Sequence, residues 1–482
     1  MTKLEKISEN IWEVPASARL EMNVPARILS SEKLIGGIDE KVIGQITNVA
    51  CLPGIYKYAI CMPDAHLGYG FPIGGVAAFD AEDGVISPGG IGFDINCGMR
   101  LIRTNLTIQE IKPKLSQLID ELFKTIPSGV GSKGLVRLNR KEYSQLMLNG
   151  SKWCLENGRA TELDIENTET EGWVEGADVQ AVSEKAANRG LNQMGTLGSG
   201  NHYLEIEVVR KDGIIDKNTA RGFGISEAGQ VVIAVHCGSR GFGHQIATDY
   251  LKIFTAKRNN YKLNIKDREL AAAPIKSPEG RAYYSAMACA ANSAFANRQI
   301  ITHYIRKVFE NVFGLSASQL ELETVYDVAH NIARFENYNI DGQSRKVLVH
   351  RKGATRSFGP GNSEIPEAYR ALGQPVIVGG SMESGSALFV GTEKAENEYF
   401  GSTVHGSGRV MSRSKAKKKI RGDELQRDML KRGITVKTGY LRGLAEEAGF
   451  AYKNIDEVSN AVNRLGLSKI VARFYPVANI KG

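Results

Sequence analysis

Long apolar runs are missing. No stretch of about 18 apolar residues occurs, so the sequence offers no membrane-spanning helix. Cysteine is scarce: six in 482 residues, none in a C-x-x-C pair, which excludes a disulfide-stapled scaffold and fits a reducing compartment. The N-terminal Met-Thr-Lys-Leu-Glu-Lys is polar and carries an acid where a secretory leader would need an apolar segment, so a cytoplasmic setting is expected. Familiar signatures of phosphate and metal chemistry are absent as well. There is no G-x-x-x-x-G-K-[ST], indeed no Gly-Lys pair, and no H-E-x-x-H. No K-x-D-G presents a nucleophilic lysine, since "RKDG" at 210–213 has the wrong spacing. Any activation of a phosphate must use other residues.

What is present is a soluble, globular balance of 42% hydrophobic and 24% charged residues, which rules out a disordered chain. Lysine and arginine number 61 against 53 acids, and the net charge of +8 suits a polyanionic partner without requiring one. Glycine, at 52 residues, exceeds the typical share of ~7% and gathers in short blocks that also hold most of the eight histidines.

Residues 1–50 read as a polar lead-in. From Tyr56 to Leu106, short apolar runs alternate with glycine turns, a strand-and-loop texture. Residues 109–125 carry helical period through Ile111, Leu115, Leu118, Ile119 and Leu122. The acidic stretch 150–185 reads as a surface insertion with a helix. "HYLEIEVV" and "QVVIAVHCGSRG" read as strands, 279–312 as a long alanine-rich helix, and "KVLVH", "PVIVGG" and "SALFVG" as further strands. Basic helices are expected over 413–432, and another over "NIDEVSNAVNRLG". Strands and helices mix without a βαβ rhythm, and no proline- or serine-rich linker divides the chain. The expectation is a single compact α+β catalytic domain over residues 1–482.

The strongest chemical signal is a set of potential metal ligands in or beside glycine turns: Asp94 and Cys97 in "GGIGFDINCGMR", His202 in "GTLGSGNHYLE", His236 in "AVHCGSRG" and His330 in "DVAHN". One thiolate, three imidazoles and a carboxylate form a borderline-soft set for one or two Mn, Zn, Co or Fe ions. A thiolate has lone pairs enough to bridge two cations. If 201–208 is extended, His202, Leu204 and Ile206 point one way and Asn201, Tyr203 and Glu205 the other, so an amide and a carboxylate can face a nucleobase edge. In "STVHGSGRVMSRSKAKKKIR", His405 has small neighbours and cations after it, which suits a general base or a nucleophile on phosphorus. "HRKGATR" and "NRG" add cations beside glycines, and "GGSMESGSALFVG" is a donor-rich loop entering a strand. The apolar run before Lys481 suggests a docked tail. Read from residues alone, three kinds of function stay open: a metal-dependent phosphoryl reaction, a dinuclear phosphodiesterase or phosphatase using the same ligands to activate water, and a non-catalytic RNA-binding protein with structural histidines.

Taken together and in order, "MPDAHLGYGFPIGG", "GGIGFDINCGMR", "GTLGSGNHYLE", "VHCGSRGFGH", "AHN", "HRKGATR", "GSMESGSALFVG", "HGSGRVMSRSKA" and "AYKNIDEV" resemble the RtcB family of RNA-splicing ligases. The resemblance implies an enzyme that joins RNA 3′-phosphate or 2′,3′-cyclic phosphate ends to 5′-hydroxyl ends, with GTP as co-substrate and two Mn²⁺ ions. It implies Asp94, Cys97, His202, His236 and His330 as metal ligands with Cys97 bridging, and His405 as the residue that becomes guanylylated. Asn201, Glu205, Ser381, Ser386, Tyr452 and Lys481 match the guanylate pocket, with Asn331 beside it. Arg189, Arg240, Lys352 and Arg413 match cations that hold RNA phosphates, and Asp64 lies in a motif near the metals. "SMESGS" departs from the more usual "SMGTAS"-like loop, and Tyr203 stands where phenylalanine is common. RNA, with tRNA exon halves foremost, is the implied partner, together with an activating protein of the archease type.

Overall fold

The computed structural model describes residues 4–482 apart from 262, 264 and 266. Two large sheets dominate. One has seven strands in the order Glu5–Ser8, Ile11–Val14, Ala26–Leu29, Ala59–His66, Ile73–Asp80, Gln343–Lys352, Asn331–Ile340. The other runs Glu323–Ala329, Gly98–Thr107, Gln230–Cys237, Tyr203–Ile214, Ser468–Lys481, Ser386–Gly391, Pro375–Gly379, with Thr435–Thr438 added beside Ser468–Lys481. Pairing in both is mainly antiparallel, and the architecture is α+β as expected.

Strand alternation sets the layers. In Tyr203–Ile214, Leu204 and Ile206 pack under the helices Leu115–Thr125 and Pro278–Phe313, while Tyr203 and Val209 lie in a separate apolar layer with Met99, Leu388 and Phe474. Val376, Val378 and Phe389 of the second sheet pack on Ile60, Val76 and Val349 of the first, so the sheets meet face to face over part of their area. The helix Pro278–Phe313 begins where Ser277 caps the Gly280 N–H and proline takes the first turn; it stops at Gly314, in the left-handed region at φ 72°. Its centre is buried almost all round, which explains the alanines.

Three expectations need correction. Residues 4–50 are no lead-in: they supply three strands of the first sheet and the helix Glu40–Val49, whose Val42, Ile46 and Val49 are core. The 109–125 helix is interrupted at Lys112–Lys114, where Pro113 cannot donate an amide N–H, and resumes as Leu115–Thr125. The acidic 150–185 segment is not a surface insertion throughout. Asp164 and Glu169 are buried, Asp164 against Arg306 and Thr324, and Glu169 beside Arg334 and Arg356. Charge density alone misreads such a segment, because a carboxylate can enter the core when an arginine accompanies it.

Candidate functional site

Four neighbouring strands of the second sheet share one edge on which the candidate ligands collect. Cys97 directly precedes Gly98–Thr107, His202 directly precedes Tyr203–Ile214, His330 directly follows Glu323–Ala329, and His236 lies at the end of Gln230–Cys237. Adjacent strands in this part of the sheet run antiparallel, so starts and ends alternate along the edge and all four side chains arrive together. Cys97 Sγ lies 3.4 Å from His202 Nε2 and 3.2 Å from His236 Nε2; His236 Nε2 lies 3.1 Å from His330 Nε2. Asp94 Oδ2 is 2.7 Å from His202 Nε2. The result is two triads, Cys97–His236–His330 and Asp94–Cys97–His202, with one sulfur in common and ligand atoms within 4.8 Å of one another in each.

These residues fit metal on two further counts. Asp94 Oδ1 and His330 Nδ1 are buried without a hydrogen-bond partner. Burial first, and the neighbouring imidazoles second, push His236 and His330 well below the ordinary histidine range, so both rings are neutral and hold lone pairs. Burial and the Asp94 charge raise the Cys97 thiol in the absence of a cation.

Support comes from behind the edge. Arg298, buried in the long helix, bonds both oxygens of Asp327 and donates to the backbone carbonyls of Asn96 and Cys237, next to two ligands. Asn96 itself sits at φ 51°, a conformation asparagine tolerates, and sends its side-chain amide to Ala291 O.

His405 approaches from the other sheet's side. Its ring centroid is 5.2 Å from that of His330 and 6.3 Å from that of His66. Nδ1 lies 2.6 Å from Oδ2 of Asp64, and the same oxygen accepts the backbone N–H of His405 at 3.2 Å. Asp64 is fully buried. An Nδ1–H held by a carboxylate leaves Nε2 with the lone pair, the arrangement a nucleophilic or basic histidine needs. His405 and the candidate ligands Asp94, Cys97, His236 and His330 line one cavity of about 660 Å³, with Asn201, Tyr203, Ser381, Tyr452 and Lys481 also on its wall. That size suits a nucleotide.

The family described as tRNA-splicing ligase RtcB matches residues 45–482. The chain belongs to the RtcB family. It is 50% identical over 479 residues to the tRNA-splicing ligase RtcB of Archaeoglobus fulgidus, covering 99% of both chains. Against the tRNA-splicing ligase RtcB of Thermococcus kodakarensis it is 50% identical over 483 residues, covering 100% of this chain and 99% of that one. The RNA-splicing ligase RtcB homolog 1 of Entamoeba histolytica is 47% identical over 442 residues, 91% of this chain and 83% of that one.

The other residues singled out by the RtcB resemblance divide into those on the cavity wall and those behind it. Lys481 is buried, as the docked tail required, with Nζ 5.1 Å from the centre of the Tyr203 ring. Tyr203 and Lys481 pair across adjacent strands. Glu205 lies behind this wall beside Glu207; burial and that neighbouring charge raise its carboxyl well above the usual range, while Lys481 opposes them. Ser386 Oγ donates to Glu207 Oε2 at 2.6 Å, so it reaches Glu207 and not Glu205. Ser381 Oγ lies 3.0 Å from Ser384 Oγ in the "SMESGS" turn. Asn331 braces the candidate ligand edge, donating to Asp94 O at 3.1 Å and accepting from Gly353 N–H at 2.8 Å. The alternation expected from residue 201 holds only from Tyr203, where the strand starts; Asn201 lies in the turn before it and His202 in the irregular link between them.

The four cations differ. Arg413 is half exposed, with Nε 3.4 Å from Glu447 and 3.6 Å from Glu446. Arg240 reaches His202 Nδ1 at 3.2 Å and fills the space over Gly198, where any Cβ would lie 1.8 Å from its guanidinium; Gly198 is at φ 97° besides, so glycine is required there. Arg189 donates to Gln245 at 3.0 Å, away from the cavity lining. Lys352 is buried on the cavity wall with Nζ donating to the carbonyls of Tyr69 and Phe71 at 2.8 and 2.9 Å.

Four contributors were given no site role of their own from the sequence. Glu447 accepts from the Tyr452 hydroxyl, and Arg409 donates to that hydroxyl at 3.0 Å. Lys453 clamps the Asp64 segment by donating to Pro63 O and Ala65 O at 3.0 and 2.8 Å. Arg298 is the fourth. Arg409 and Lys453 lie in the quoted blocks "HGSGRVMSRSKA" and "AYKNIDEV", and Arg298 left a trace as part of the polar trio "NRQ" interrupting an alanine-rich helix.

Proposed function

We propose that this RtcB-family chain is a GTP-dependent RNA ligase that joins RNA 3′-phosphate or 2′,3′-cyclic phosphate ends to 5′-hydroxyl ends, as in tRNA splicing. The carrying observation is the pair of ligand triads sharing Cys97, set beside a histidine whose Nδ1 is engaged by a buried carboxylate. Asp94, Cys97, His202, His236 and His330 would hold two divalent cations, Mn²⁺ in this reading, which supply charge neutralisation and Lewis acidity to phosphoryl oxygens.

The chain's own residues account for the rest. Asp64 fixes Nδ1–H, so His405 Nε2 attacks the α-phosphorus of GTP; the N–P bond forms as the bond to the β-phosphate oxygen breaks, and pyrophosphate leaves. Tyr203, Tyr452 and Lys481 enclose the guanylate, and Glu205, behind them, faces Lys481 from the far side of the wall. An oxygen of the RNA 3′-phosphate next attacks the same phosphorus and releases His405, giving a 3′-pp-G end. The RNA 5′-hydroxyl then attacks the 3′-phosphorus, a phosphodiester forms, and GMP departs. Water opens a cyclic phosphate beforehand. Arg189, Arg240 and Arg413 neutralise RNA phosphates, so activity falls as salt rises.

The test is joining of a labelled RNA 3′-phosphate to a 5′-hydroxyl RNA with Mn²⁺, with and without GTP. GTP-dependent joining supports the reading. GTP-independent hydrolysis of the ends with no joined product would favour a phosphodiesterase.

A further inference from the structure

Outside the cavity's deep wall, three flat rings form a row at its mouth. The Tyr69 and Phe93 centroids are 5.4 Å apart at 68°, and those of Phe93 and His244 are 5.0 Å apart at 30°. Tyr69 is 39% exposed, Phe93 partly exposed and His244 exposed, and both Tyr69 and Phe93 line the cavity. The row is anchored at one end and at its centre. Tyr69 O accepts from Lys352 Nζ, and Phe93 directly precedes the candidate ligand Asp94. On its outer side Arg189 bonds Gln245, the residue after His244. No packing requirement explains rings left in solvent here; Arg189 lies beside His244, whereas the Tyr69 hydroxyl has Glu269 and Asp267 as its charged neighbours.

We infer that Tyr69, Phe93 and His244 form a stacking platform for unpaired nucleobases next to the RNA end being joined. This inference rests on the ligase reading and deepens it. Three features select a nucleobase as occupant. The rings offer π-faces to which any base can stack without reading its sequence. Arg189 supplies charge for a phosphate strand running alongside. The row also continues from the cavity through Phe93 to Asp94, so a strand lying on it would deliver its terminal phosphate or hydroxyl to the ligand edge. The platform's expected property is tolerance of base identity with intolerance of base absence.

The experiment compares single-turnover joining of ordinary RNA ends with ends carrying one abasic nucleotide, placed at the 3′-phosphate terminus in one arm and at the 5′-hydroxyl terminus in the other. Enzymes are wild type, Tyr69→Ala, Phe93→Leu and Tyr69→Phe, with rates expressed per site able to form the His405 adduct, so that misfolded protein is not counted. Base stacking on one aromatic ring corresponds to roughly 5- to 150-fold in affinity. A loss of that order is expected for Tyr69→Ala and Phe93→Leu on ordinary RNA, with Tyr69→Phe near wild type. In one arm the abasic substrate should be joined at the same reduced rate by wild type and variants, because the interaction is already gone. Independent, multiplying losses in both arms, or no loss from the variants, overturns the platform while leaving the ligase reading intact. Failure of the wild type to join any ends removes both.

Discussion

Replacing Asp64 with asparagine isolates one charge in the proposed nucleophile's support. Asp64 Oδ2 takes the His405 Nδ1 contact at 2.6 Å and the His405 backbone N–H at 3.2 Å, whereas Oδ1 has no partner and lies near Gly74. Asparagine can therefore seat its amide nitrogen where Oδ1 was and keep an oxygen towards the ring, so geometry and tautomer survive and only the negative charge is lost. A charge-assisted hydrogen bond contributes about 1.5–3 kcal/mol. A neutral bond, which the asparagine oxygen still makes, contributes about 0.5–1.5 kcal/mol, so about 1–1.5 kcal/mol is lost with the charge. Positive charge develops on the imidazole as Nε2 bonds to phosphorus, so that difference is felt in the transition state, slowing the step by roughly 5- to 13-fold. Asp64→Ala should be slower still, since it also orphans buried N–H donors at about 1–3 kcal/mol each. The assay is the single-turnover rate of covalent GMP capture at saturating GTP, where the loss appears in the rate constant and not in the half-saturating GTP concentration. Asp64→Asn within twofold of wild type would refute the assigned role of Asp64.

Metal content gives a second check: Cys97→Ala removes the atom shared by both triads and should lose both ions by elemental analysis, whereas His330→Ala, a member of one triad only, should lose one. Arg298→Met leaves Asp327 with only Arg100 and unties two ligand-bearing loops, so the unfolding free energy should fall by about 3–5 kcal/mol in chemical denaturation; a change under about 1 kcal/mol would contradict a clamp. Burial pushes the Lys352 amine down to about 7. An unfolded lysine keeps its proton to about pH 10.4, so above neutrality the unfolded chain binds more protons and stability rises with pH, by about 1.4 kcal/mol per unit. The difference in unfolding free energy between wild type and Lys352→Met should climb at about that slope from pH 7.5 to 9, and a flat difference would contradict it.

How much of this was legible beforehand depends on distance along the chain. Helices and strands with clean periodicity, such as Pro278–Phe313 and Gln230–Cys237, announce themselves because local sequence determines which face is buried. The ligand types were legible too, since glycine turns at strand ends mark where side chains are aimed. Convergence was not: nothing local says that Cys97, His202, His236 and His330 lie on adjacent strands, and only the antiparallel order of four strands puts them on one edge. The N-terminal strands were missed because short, edge-lying segments with polar outer faces resemble loops. The acidic stretch was misread because the arginines that accept Asp164 and Glu169 lie more than a hundred residues away. Lys453 lies in a quoted motif but its role was hidden for the same reason, since it acts on a segment remote in sequence.

The central claim is that His405, beside a two-cation ligand edge, captures the α-phosphorus of GTP. The most direct measurement incubates the protein with α-labelled GTP and Mn²⁺ without RNA, then maps any covalent label by peptide mass. An acid-labile, alkali-stable GMP adduct on His405, absent in His405→Ala and in Cys97→Ala, is the predicted result. Label that persists in His405→Ala, or no label in a protein shown to hold two ions, would contradict it.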